Sequence, residues 1–308
     1  MDRPPAVAHR PDSPDSPDPS DSPTAGWLPG SPGGLDRHDA RPVVLRPHLD
    51  LDVDPGTDAV WNPGAPEFVA AANSVSLMMP YVEPYFAATV RRAAGSLDPE
   101  LAATAIDFAT QELQHQRVHR GFNALLRARY PRLERVERRM RRTYARLGRT
   151  RSLRFSLAYA AASETIAYSL ARWTSDHLAE FLRGADPAAT DLFLWHLAEE
   201  VEHKSVAHDV WREVDGSHLR LAWAGACSLV LLAVFSLTAT LGMLRADRRL
   251  RLPGTWWRLA RLLLSFSFEV VPTMLVSSLP GHHPSQLTDP DWYRSWLVDL
   301  EHRRTTDH

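Results

Sequence analysis

Between Arg154 and Arg172 the chain reads FSLAYAAASETIAYSLA, and Glu164 is the one charged residue in that run. The run lies within a helix expected from about Ser152 to Leu182, closed by Arg183-Gly184. An ionised carboxylate buried in such a segment is costly unless a cation or a metal pairs with it. The segment therefore fits only a fold that brings compensating groups to Glu164 from other elements.

Those elements are helices. Asp98-Pro99-Glu100 and Asp186-Pro187 each place an N-cap acid before a proline in the first turn. The first pair starts a helix that continues to Leu126. The second starts one running to about Val214, closed by Asp215-Gly216. A further helix is expected from Pro80 to about Ala94, and an arginine-rich one from Pro131 to about Leu147, ended by Gly148. Glu67 to Met79 is a shorter apolar stretch compatible with a helix. No segment alternates as a strand between hairpin turns, so the expected class is all-α.

Several polar residues occupy apolar helix faces. The stripe after Pro99 reads Ala105, Phe108, Glu112, His115, His119, Phe122, Leu126, and that after Pro187 reads Phe193, His196, Glu200, His203, Ala207, Val210, Val214. Each carries Glu-x-x-His, whose two side chains project to one point. Glu83, within Pro80-Tyr-Val-Glu83-Pro84-Tyr-Phe, is another acid among apolar residues. Four helices thus supply Glu83, Glu112/His115, Glu164 and Glu200/His203, the ligand set of a carboxylate-bridged dinuclear bundle. Carboxylate oxygens bridge two divalent ions, and an imidazole completes each. Iron is the favoured metal, with manganese or zinc as alternatives. Glu199 could replace Glu200 as the i, i+4 partner of His203. His119 and His196 are expected to orient ligands or to be satisfied core histidines, and Tyr168 is a packing residue or a redox tyrosine.

The segments Gln111-Glu112-Leu113-Gln114-His115, Ser163-Glu164 and Trp195-His-Leu-Ala-Glu-Glu200-Val-Glu-His203 resemble the bacterial family of predicted metal-dependent hydrolases, over roughly residues 65–290. That family is similar to ferritin-like proteins in its ligand pattern. The resemblance implies a ferritin-like four-helix bundle over 65–215, with metal-dependent hydrolysis as the activity. Its first-helix acid usually follows a glycine, whereas here Val82 precedes Glu83.

Composition limits the alternatives. The formal charge is -2, which gives no pull toward nucleic acid, and Cys227 is the single cysteine, so no cysteine-based metal site or disulfide framework can form. Eleven of the 24 prolines fall in residues 1–47, and residues 1–50 read as a disordered leader without a signal-peptide core. That reading favours a cytoplasmic protein, with the inner face of the membrane as a possible docking surface. Residues 218–300 form a hydrophobic C-terminal region. Residues 221–244 carry no charge, and 262–279 are apolar but for Glu269 and Pro272, with six arginines from Arg245 to Arg261 between the two segments. They are expected to pack as extra helices over the bundle or to lie in one membrane leaflet.

Three functions follow. The favoured one is di-iron oxygen activation on an apolar or lipid-like substrate, walled by Phe108, Phe122, Tyr168 and Phe193. The family resemblance implies hydrolysis by a metal-bridging hydroxide instead. The third is a non-enzymatic metal-binding protein.

Overall fold

Asp98 and Asp186 do start helices. The Asp98 carboxylate accepts from the Glu100 and Leu101 amides at 3.0 and 3.1 Å, and Asp186 accepts from Ala189 at 3.0 Å. Ser152 caps a third, accepting from Phe155 at 3.3 Å. The computed structural model describes residues 57–296 and 298, so the proline-rich leader of residues 1–50 lies outside the described residues. Ten α-helices follow in order: α1 (Pro66–Ser76), α2 (Met79–Ala93), α3 (Pro99–Arg129), α4 (Glu134–Thr150), α5 (Leu153–Ser175), α6 (Leu178–Phe181), α7 (Pro187–His203), α8 (Val206–Val214), α9 (His218–Ala246) and α10 (Pro253–Ser277). Helix resumes at residue 291, and no strand occurs among the described residues. The class is all-α.

Three boundaries differ from the sequence expectation. Helix α4 continues through Gly148 to Thr150; a side chain at Gly148 would meet Tyr85 of α2 at an ordinary 3.8 Å. Gly184 and Gly216, by contrast, adopt the left-handed φ values of 73° and 60° that glycine tolerates. The helix expected to reach Leu182 ends at Ser175, where the His177 ring donates to the Trp173 carbonyl at 2.7 Å and satisfies a helix-end acceptor. Pro84 lies inside α2, where its ring removes one rung of the ladder. The helix expected to run to Val214 is interrupted at Lys204-Ser205, without proline or glycine. There the Lys204 ammonium turns to the Leu287 carbonyl at 3.0 Å and to the Asp289 carboxylate. This contact joins residues far apart in sequence, which helical periodicity does not register.

Helices α2, α3, α5 and α7 enclose one interior, α8 extends α7 along α5 and α3, and α4 lies against α2. Helix α9 covers α1 and α5, and α10 lies on α5. Close approach of α9 depends on Gly225, where an added Cβ would sit 3.0 Å from Met274 Cε and 3.2 Å from the Ala162 Cβ. Polar contacts fasten α10 to the bundle. Arg258 donates twice to the buried Glu67 at 2.8 and 2.9 Å, Thr255 donates to the same carboxylate at 2.7 Å, and Glu269 pairs with Arg172 at 2.8 Å. The opposite faces of α9 and α10 remain apolar and exposed, with Trp223, Val230, Trp257, Phe268 and Leu275 all more than half accessible.

Candidate metal centre

The helical stripes carry their polar residues to one point because α2, α3, α5 and α7 each turn that stripe inward. Glu83, Glu112, His115, Glu164, His196, Glu200 and His203 all lie in the interior, none more than 7% exposed. Two groups of four form there. Glu83, His115, His196 and Glu200 offer donor atoms within 4.8 Å of one another, and so do Glu112, His115, Glu200 and His203. Glu200 joins the two through different oxygens: Oε1 lies 2.7 Å from His196 Nε2, and Oε2 lies 3.9 Å from His203 Nδ1. Glu164 stands beside the second group, its Oε2 also 3.9 Å from His203 Nδ1.

Each histidine is held from behind. His115 Nε2 is 2.8 Å from Glu199 Oε2, and His203 Nε2 is 2.9 Å from the Gln111 side-chain oxygen. A neutral imidazole that donates to an outer acceptor leaves its other nitrogen as a lone pair. In both residues that nitrogen is Nδ1. It faces the carboxylates, 3.8 Å from Glu83 for His115 and 3.0 Å from Glu112 for His203, without hydrogen-bond geometry.

His196 is oriented by a longer relay. The Asn123 amide nitrogen donates to the Ser76 carbonyl at 2.8 Å, so its oxygen accepts from the Ser76 hydroxyl at 2.7 Å. Ser76 Oγ then accepts from His119 Nδ1 at 2.8 Å, and His119 Nε2 accepts from His196 Nδ1. The direction follows from the amide orientation assigned to Asn123. It turns His196 Nε2 toward Glu83 and Glu200, and Nε2 hydrogen-bonds Glu200 Oε1 at 2.7 Å.

Burial and mutual repulsion perturb the carboxyls of the centre in a way a cation would relieve. Burial, and then repulsion from Glu112, Glu200 and Glu199, holds Glu83 well above the usual carboxylate range. Burial together with Glu200 and Glu112 does the same to Glu164. Burial pushes Glu112 up to about 7 against the pull of His203. Burial alone would also raise Glu200, but the His196 hydrogen bond and the charges of His196 and His203 hold it at about 2. Burial opposes protonation of His203, yet the adjoining Glu112 overrides it and raises the ring to about 9. Both oxygens of Glu83 and Glu112, one each of Glu164 and Glu200, and Nδ1 of His115 and His203 are buried without a hydrogen-bond partner. An unsatisfied buried polar group costs about 1–3 kcal/mol, so eight facing one centre fit a metal-binding role far better than a structural one. Two divalent cations would also neutralise the charge of Glu83, Glu112, Glu164 and Glu200 if all four were ionised.

The structure brings together Glu83, Glu112, His115, Glu200 and His203, and adds His196, which sequence reasoning had placed among the orienting residues. Its i, i+4 spacing to Glu200 was the available signal. His119 sits behind His196, and Glu199 sits behind His115 and in neither group of four. Tyr168 is directed elsewhere: its hydroxyl donates to the Thr288 carbonyl and its ring receives Lys204 at 5.2 Å. Gln111, Ser76 and Asn123 were not singled out from sequence; Gln111 has a signal in its place one residue before Glu112, and Ser76 has none. Aromatic groups close the centre, with Trp195 edge-on to His115 at 5.0 Å and Phe108 edge-on to His203 at 4.8 Å.

The family described as "predicted metal-dependent hydrolase" matches residues 46–288. No curated protein and no solved structure matches the chain.

Proposed function

The chain belongs to the predicted metal-dependent hydrolase family, and from that premise we propose that its buried centre holds two divalent metal ions, iron foremost, and activates dioxygen toward a small apolar substrate. The observation that carries this reading is the convergence of eight unpartnered donor atoms from four helices. Glu83, His115, His196 and Glu200 would hold one ion, and Glu112, Glu200 and His203, with Glu164 beside them, the other. Bound iron would supply the electron-transfer chemistry that the side chains lack.

The chain's own residues set the conditions for that chemistry. Glu199, Gln111 and His119 hold the outer nitrogens of His115, His203 and His196, fixing tautomer and ring plane. Phe108, Trp195 and the buried aliphatic residues around them exclude bulk water, which strengthens every electrostatic contact inside. The depth of the centre favours a reactant as small and apolar as dioxygen over a bulky polar ester.

The family description supports a second reading, hydrolysis, in which the same residues hold ions that polarise the substrate carbonyl or phosphoryl oxygen. The two separate cleanly. Protein loaded with ferrous iron under argon and then exposed to air should consume oxygen, and Glu200→Ala should not. Turnover of ester or phosphate substrates under argon with zinc or manganese would favour hydrolysis, and bound metal with neither activity would make this a metal-binding protein.

We further propose that the exposed apolar face of α9 and α10 rests on an anionic membrane surface, from which an apolar substrate would arrive. Both helices are long and apolar enough to cross a membrane, although one face of each packs on the bundle. Arg245, Arg248 and Arg251, exposed at the connection between them, supply charge complementary to anionic headgroups.

A further inference from the structure

A second group of imidazole and carboxylate lies outside the bundle centre, where α8 meets the segment following α10. His208 of α8 is 2% exposed, and neither of its ring nitrogens has a hydrogen-bond partner. Buried imidazoles ordinarily satisfy at least one nitrogen, so this ring is held ready for something it does not find among its neighbours. His283 stands perpendicular to it with ring centroids 4.9 Å apart, and His283 Nε2 lies 2.6 Å from Asp209 Oδ1. One donor atom from each of His208, Asp209 and His283 falls within 4.8 Å of the other two. His283 Nδ1 accepts from the Ser285 amide at 3.2 Å, so Nε2 carries the proton that it donates to Asp209, and an ion bound there would take that proton's place.

We propose that His208, Asp209 and His283 form a mononuclear site for a zinc-class divalent ion, separate from the bundle centre. Two imidazoles and one carboxylate suit a tetrahedral borderline ion, with water as the fourth ligand.

The consequence is mechanical. The segment carrying His283 also presents the Leu287 carbonyl and Asp289 to Lys204, and the Thr288 carbonyl to Tyr168. Shortly beyond, the Tyr293 hydroxyl donates to Glu202 at 3.1 Å. An ion joining His283 to α8 would therefore fasten this strap across the α7–α8 interruption, directly after His203.

The test is zinc uptake by equilibrium dialysis on the full chain, comparing intact protein, Glu200→Ala, His283→Ala and the two substitutions combined, with limited proteolysis of residues 279–290 alongside. His283 is on a surface segment, so its removal should leave the bundle folded, and His208→Gln provides an independent variant. Glu200→Ala should retain one zinc ion per chain, and adding His283→Ala or His208→Gln should weaken that ion by about tenfold or more. Zinc should slow cleavage of the strap in Glu200→Ala but not in the combined variant. Undiminished zinc binding in the combined variant, or none in folded Glu200→Ala, would overturn the site. Were the intact chain to hold only the ion that depends on His283, this site would stand and the bundle-centre reading would fall.

Discussion

Ser76 contacts none of the residues proposed to bind metal, yet it sets which nitrogen of His196 faces them. Because Asn123 fixes the Ser76 hydroxyl, and Ser76 fixes His119, either Ser76→Ala or Asn123→Leu should let the His196 ring rotate or change tautomer. Loss of such an outer partner typically weakens metal binding 10–100-fold, measurable by competition against a chelator of known affinity. Unchanged affinity in both variants would contradict the relay. A second expectation concerns protons. In the metal-free protein burial and the neighbouring carboxylates hold Glu83 and Glu164 well above the usual carboxylate range, and the adjoining Glu112 raises His203 to about 9. Ligands must be deprotonated to bind, so metal addition at neutral pH should release protons, and affinity should rise with pH. Proton release in weakly buffered solution gives the sign directly; uptake or no change would refute it. At this scale Glu112, His115, Glu200 and His203 were legible because helical spacing aligns them on stripes. His196 lay on the same stripe, but spacing says nothing about which atom a ring presents. The role of Ser76 depends on α1 meeting α3, a contact with no local sequence signature.

Among the elements, α9 depends on one residue for its seat. Gly225 lets it approach α5 and α10, and Gly225→Leu should force Met274 and Ala162 apart. Overpacking of this kind costs roughly 1–3 kcal/mol, read as a lower Tm by calorimetry or circular dichroism. An unchanged Tm would mean that α9 is not seated as described. The caps at Asp98 and Asp186 were legible because their chemistry is local, whereas Ser152 was legible only as a helix start. Stops governed by tertiary contact were not. Gly148 resembles a terminator in sequence but continues a helix, whereas Lys204-Ser205 resembles helix interior and interrupts one because Lys204 is drawn to the strap. Glu269, which breaks an otherwise apolar stretch in sequence, lies partly buried against Arg172.

For the whole molecule, the architecture places a charged interior beside an apolar exterior. The faces of α9 and α10 that the bundle leaves uncovered, with Trp257 72% and Phe268 76% exposed, exceed the scattered apolar residues of an ordinary surface. Intact protein should sediment with vesicles containing anionic lipid, and Trp257→Glu combined with Phe268→Glu should remove most of that binding while leaving metal content unchanged. Equal sedimentation of both proteins would exclude this face as the docking surface. The central claim, however, is the metal centre. Its most direct test is the content of iron and manganese per chain in protein purified without oxygen, beside Glu200→Ala prepared in the same way. A carboxylate-bridged dinuclear centre predicts about two ions in the intact chain and their loss in the variant. Absence of both metals from the folded intact chain, or the same content in both proteins, would contradict it.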